Sequence, residues 1–204
     1  MSGADAGLPV ATLALLRQVR ACTLCAPHLP LGVRPVLQVH TAARILVVGQ
    51  APGIKVHHSG VPFDDASGER LRDWMGVPAE VFYDPRQVAI VPMGFCYPGK
   101  GKSGDLPPRP ECAPRWRQDV LAQMPGIVLT LVIGQYAQAW HLPPSPQPGG
   151  SGVTGTVERW AEFAPAVLPL PHPSPRNNIW LKRHPWFGQT LLPVLKELVA
   201  RALT

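Results

Sequence analysis

The sequence predicts an α/β fold, a three-layer α/β/α sandwich with a central four-stranded parallel sheet, as a single domain over residues 1–204. Three observations carry this reading. Four short aliphatic runs, at 45–48, 88–91, 127–133 and 166–170, read as strands, the first unbroken enough to be buried on both faces. Stretches with helical spacing separate them, and that alternation yields a parallel sheet. Three of the runs end on Gly49, Pro92 and Gly134. Tight loops therefore stand at the carboxyl ends of strands, where open α/β sheets place their ligands.

Taken in order, Leu13, Leu15, Leu16 and Val19 fall at roughly helical spacing, so a first helix is expected over 8–21. It runs into Ala21-Cys22-Thr23-Leu24-Cys25, and an irregular basic stretch with Pro27, Pro30 and Pro35 follows. The first strand, 45–48, ends on Gly49-Gln50-Ala51-Pro52-Gly53, where two glycines permit positive φ and a proline fixes φ. Leu71, Trp74 and Met75, with charges between, mark an amphipathic helix over about 67–75 that Gly76 and Pro78 close. The second strand, 88–91, leads to a long Pro/Gly/Lys loop over 97–114, a length that is usually functional or disordered. A helix over about 115–124, the strand 127–133 and a helix over 135–141 come next. Residues 143–152 read as a mobile surface insertion. A helix near 153–163 leads to the last strand at about 166–170, which delivers His172, and a closing helix covers about 188–202.

Nineteen basic against thirteen acidic residues give a formal charge of +6, which suits a polyanionic partner such as nucleic acid. The longest apolar runs are far short of the ~20 residues a membrane span needs. The N-terminal segment has no basic residues before its apolar part and carries Asp5, which argues against a signal peptide. A cytoplasmic, monomeric protein with no membrane association is expected.

Residues 49–71 carry the strongest signal. Gly49-Gln50-Ala51-Pro52-Gly53 is followed by Gly60-Val61-Pro62-Phe63 and then by Gly68 opening a leucine helix; His172-Pro173-Ser174-Pro175 lies in the last fifth of the chain. This pattern resembles the uracil-DNA glycosylase superfamily, and most closely its iron–sulfur branch, family 4, over roughly residues 20–195. The resemblance implies DNA containing uracil as substrate, base flipping, and hydrolysis of the N-glycosidic bond. By the same resemblance Phe63 stacks on the flipped uracil, and His172 donates toward the uracil carbonyl as negative charge develops. Amides near Gln50 and Ala51 add further donors, and Gln50 is placed to bond the base. Arg176, Asn177 and Asn178, with Trp180, Lys182 and Arg183, look like the family's minor-groove loop, supplying phosphate contacts and a wedge. Lys100, Lys102 and Arg109 of the long loop are further candidates for phosphate contacts.

Cys22 and Cys25 form a C-x2-C pair, whereas Cys96 and Cys112 are widely separated. Four unrelated thiols, a zinc site or a [4Fe–4S] cluster all fit that inventory. The spacing resembles family 4, which implies that the four cysteines hold a [4Fe–4S] cluster, with a structural role in pinning the 97–111 loop.

The chain departs from the family pattern at two places. Ile54-Lys55-Val56-His57 carries no carboxylate where the family positions its water, and Pro92 stands where an asparagine reads the uracil edge. The nearest replacements for the water-activating group are His57, His58, Asp64 and Asp65, and the two aspartates equally suit the N-terminus of the following helix. Two other functions stay open at this point: a non-catalytic DNA-damage-binding module, and a glycosylase for another deaminated base.

Overall fold

The computed structural model of the chain describes residues 7–102, 104–144 and 152–204. Strands β1 (Ile45–Val48), β2 (Val88–Ile90), β3 (Leu129–Ile133) and β4 (Val167–Leu170) form one sheet in the order β2-β1-β3-β4. All pairings are parallel: Val47 stands opposite Ile90 on one side and Leu131 on the other, and Leu131 stands opposite Leu168. The helices are α1 (Val10–Arg20), α2 (Ile54–Ser59), α3 (Ala66–Met75), α4 (Ala79–Phe82), α5 (Cys112–Ala122), α6 (Gly134–His141), α7 (Gly152–Glu158), α8 (Asn178–Arg183) and α9 (Leu192–Leu203).

The strands are apolar on both faces because each face has its own helical layer. Ile45, Val47, Ile90, Leu131 and Leu168 pack with Leu71 and Trp74 of α3 and Leu195 and Val199 of α9. Leu46, Val48, Ala89 and Val132 pack with Leu16 and Val19 of α1, Trp116 and Val120 of α5, and Ala137 of α6. This is the predicted α/β/α sandwich. The free edge of β2 is covered by Gln38, which exchanges backbone hydrogen bonds with Ile90 and donates its side-chain amide to Phe82 O and Val88 O. Among the described residues no helix is long and apolar enough to cross a membrane.

Several elements differ from the expectation. Residues 54–59 are helical; six residues between Gly53 and Gly60 are too few to show a period. The short helices α4 and α8 were likewise not foreseen, and the segment read as a minor-groove loop is largely α8. Helix α5 begins at Cys112, so the long loop is shorter than its composition suggests. The stretch 153–163 divides into α7 and a 3-10 turn at Trp160–Glu162. Most of the insertion expected at 143–152 lies outside the described residues.

Beneath the carboxyl end of β2 lies a fully buried Arg117, only 1% exposed. Its partners are Val91 O, Pro92 O and Nε2 of His141, which accepts at 3.2 Å from Nε and lies 2.7 Å from Nη2. Burial brings the guanidinium down to about 10. A guanidinium can only donate, so His141 must present an unprotonated Nε2. Burial and the facing Arg117 charge accordingly pull the His141 pKa from 6.5 to about 4. The folded state therefore resists a proton that the unfolded chain accepts. Stability is full above pH ~6.5 and falls as pH drops toward ~4, by about 2 kcal/mol after discounting for partial exposure. Urea titrations from pH 7 to pH 4 measure this slope, and His141→Gln should flatten it.

Candidate active site

The loops at the carboxyl ends of β1, β2 and β4 enclose an open cleft of about 570 Å3, large enough for a base-sized ligand. Gly49–Val56 form one side, Ile90 and Pro92 lie at the end of β2, and His172 with Ser174–Asn177 form the wall beyond β4. Pro62, Phe63 and Asp65–Ser67 enter from the start of α3, and Gly104 and Asp105 reach in from the long loop. The cleft therefore gathers Gln50, Ala51, Phe63, Asp65, His172, Arg176 and Asn177 from distant parts of the sequence.

Phe63 has φ 54, the one positive φ of a non-glycine residue among the described residues. A bulky residue held there is strained by about 1–3 kcal/mol, and the surroundings must over-determine it. They do. Its carbonyl accepts from Tyr83 Oη at 3.2 Å, and that hydroxyl accepts from Arg72 Nη1 at 3.1 Å. The same carbonyl lies against Gly68, where a Cβ would come within 1.8 Å of it. The ring lies over Gly49 and meets Phe82 edge to face at 6.2 Å.

His172 is braced as firmly. Its Nδ1 accepts from the Ser174 amide at 3.1 Å, and its backbone carbonyl accepts from Asn177 Nδ2 at 2.7 Å. Arg70 of α3 donates to Ser174 O, and Ser174 Oγ accepts from the Arg176 amide. A backbone amide can only donate, so the neutral ring carries its proton on Nε2. Burial lowers the His172 pKa against the opposing pull of Asp65 and Asp105, which keeps the ring neutral.

The candidate water-activating groups separate. Asp65 lines the cleft, but its Oδ1 accepts from the Ser67 and Gly68 amides and caps α3, a role worth about 1 kcal/mol. Asp64 is exposed, does not line the cleft, and its charge acts on Tyr83. His57 does not line it either. It is buried against Tyr97 with centroids 6.1 Å apart, and burial followed by the neighbouring His58 and Arg34 lowers its pKa. Gln50 donates to Leu106 O at 2.8 Å, so its amide nitrogen ties the β1 loop to the long loop.

The basic candidates separate too. Arg176 is exposed on the cleft wall, and Lys182 and Arg183 are exposed in the last turn of α8. Lys100 pairs with Asp105 in a two-residue bridge, and Lys102 is exposed at the tip of that loop. Arg109, expected at DNA phosphates, forms a two-point ion pair with Glu111 at 2.6 and 3.2 Å and lines the cysteine pocket. Trp180, expected at the wedge, is packed among His184, Trp186 and Phe187 and donates to Thr154 Oγ1; the exposed apolar side chain there is Ile179.

Sequence reasoning missed Asp105, Tyr83, Arg72 and Arg70. Of these only Asp105 left a trace, as the one carboxylate in the stretch 97–110.

A second pocket is lined by Cys22, Cys25, Cys96 and Cys112 together with Arg109, Phe95 and Trp116. Trp116 Nε1 donates to Cys22 Sγ at 3.2 Å and the Phe95 amide to Cys112 Sγ at 3.4 Å. Burial pushes Cys96 up to about 11 and Cys112 up to about 12. Among the described residues no group of three or more His, Cys, Asp or Glu is arranged to hold a metal ion.

The uracil-DNA glycosylase superfamily model matches residues 38–196, which run from the bridge on the β2 edge through every cleft-forming loop into α9. By that match, the chain belongs to the uracil-DNA glycosylase superfamily, and its function is of the DNA-glycosylase type.

Proposed function

We propose that the protein flips uracil out of DNA and hydrolyses its N-glycosidic bond, the first step of base excision repair. The observation that carries this is the pairing, across one cleft, of a strained Phe63 with a neutral His172 whose donor is Nε2. Phe63 offers a fixed aromatic face on which an extruded base stacks. His172 then donates to the base as it leaves with the bonding electrons, which is stabilisation aimed at developing charge. Arg176, Lys182 and Arg183 would take phosphates beside the cleft, and the exposed Ile179 would stand nearest the gap left in the stack.

Pro92 favours a second reading, in which another deaminated base is preferred. It lines the cleft where a side-chain amide would read the uracil edge, and proline offers no side-chain hydrogen bond there. One experiment addresses both: oligonucleotides carrying uracil, hypoxanthine or no lesion are incubated with the protein and abasic sites are cleaved with alkali. Strand cleavage with the uracil oligonucleotide is expected; cleavage with hypoxanthine alone would establish the second reading, and none with either would remove both.

We also propose that Cys22, Cys25, Cys96 and Cys112 hold a [4Fe–4S] cluster of structural role. Support comes from four thiols that line one pocket, two of them accepting from N–H donors; as placed they form no metal-ligating group, so a cluster would have to draw them together. Further support comes from Arg117, a buried cation beside Cys112 whose partners are carbonyls and a neutral imidazole rather than a carboxylate. An anionic thiolate-ligated group would compensate that charge. Such a cluster would tie α1, the loop after β2 and the start of α5 together and supply no step of the reaction. Purified protein should contain iron and sulfide in equal amounts, near four of each. About one zinc and no iron would overturn the assignment.

A further inference from the structure

Resting on the glycosylase reading above, we propose that Asp105 is the catalytic carboxylate that holds and deprotonates the attacking water. Among the described residues only two carboxylates line the cleft, Asp65 and Asp105. Asp65 is committed to the α3 amides through Oδ1. Asp105 is not a helix cap, and no described residue hydrogen-bonds to its side chain.

The long loop delivers it. Gly101 N donates to Gly104 O at 2.6 Å and Leu106 N to Gly99 O at 2.8 Å, which holds Gly104–Leu106 against Gly99–Gly101. Lys100 pairs with Asp105 across that turn. The next residue, Leu106, is fastened to the β1 loop by Gln50. Asp105 is thereby held against the Gly49–Gly53 loop, with Oδ2 only 3.5 Å from where a Gly53 Cβ would stand. The charges of His172, Asp65, Lys100 and Arg176 all act on it, and it lines the same cleft as Phe63 and His172. Partial desolvation by the cleft wall raises its pKa, with Asp65 adding to this and Arg176, His172 and Lys100 opposing it.

The chemistry follows from that position. As the C1′–N1 bond breaks, its electron pair goes to the base, which departs as an anion facing His172. The sugar becomes oxocarbenium-like, and a nearby carboxylate stabilises it. A water attacks C1′; its oxygen forms the new C–O bond and one of its protons passes to Asp105. That proton then returns to solvent as the base anion takes one up, so the net change is hydrolysis of one bond by one water.

The test uses the full chain and a duplex with a single deoxyuridine, in single turnover, followed by alkaline cleavage. Asp105→Asn should lower the rate by about 10²–10⁴. Its Kd for a duplex carrying uncleavable 2′-fluoro-deoxyuridine should stay within about threefold of wild type. Asp105→Glu should recover part of the lost rate. The wild-type rate should fall as pH drops through a value above the ordinary carboxylate range of about 4, and the residual rate of Asp105→Asn should lack that limb. Excision by Asp105→Asn at the wild-type rate would overturn the proposal while leaving the glycosylase reading intact. A wild-type protein that releases no base from any substrate would overturn both.

Discussion

His172→Ala is expected to lower single-turnover uracil excision by about 10²–10³, with little change in affinity for the uncleaved duplex. The size follows from what the side chain does. The Ser174 amide occupies Nδ1 at 3.1 Å, which leaves Nε2–H as the ring's donor. Burial keeps the ring neutral, so that donor needs no proton from solvent. A donor aimed at charge that exists only in the transition state affects the rate and not the binding. Because burial lowers its pKa, His172 should not lose activity at pH ~6.5, where an ordinary imidazole is half protonated. Any acid limb near that pH should therefore persist in His172→Ala, because it does not arise from this ring. A loss below about tenfold in His172→Ala would remove the residue from the chemistry.

The fold was legible because it is written in short-range patterns. The runs Ile45–Val48 and Leu129–Ile133 have no polar face, and a buried parallel strand needs none. Phe63 and His172 were singled out through the resemblance of their motifs to the superfamily, and both line the cleft. What escaped was set by distance. Asp105 looks like an ordinary solvated loop residue until Gln50 pulls Leu106 onto the β1 loop, a contact across 56 positions. Arg109 looked like a phosphate ligand because nothing in its neighbours shows that Glu111 folds back to meet it. His57 looked catalytic because α2 is too short to reveal which face it buries. Tyr83 and Arg72 became visible only through the Phe63 carbonyl they hold.

That hold makes Gly68→Ala the other large expected effect. In an ordinary helix this change stabilises by about 0.5–1 kcal/mol, since alanine loses less backbone freedom on folding. Gly68 lies in the first turn of α3, and its amide already donates to Asp65 Oδ1 at 3.0 Å. A Cβ there would stand 1.8 Å from Phe63 O and 2.8 Å from Phe63 Cβ. No side-chain rotation relieves this, because the nearest atom is backbone. The Phe63 carbonyl cannot swing aside without breaking its bond from Tyr83 Oη, which Arg72 fixes in turn. The Phe63 peptide must therefore leave φ 54, and its ring leaves the surface of Gly49. Overpacking of this kind costs about 1–3 kcal/mol, or several degrees of Tm at this chain length. Excision should fall at least tenfold, beyond what the lost stability explains, because the stacking face is displaced. Gly188→Ala serves as the control, since nothing lies within 4 Å of a Cβ there, and it should leave Tm and excision near wild type. If Gly68→Ala melts and excises as wild type does, the strained Phe63 backbone is not what positions the base.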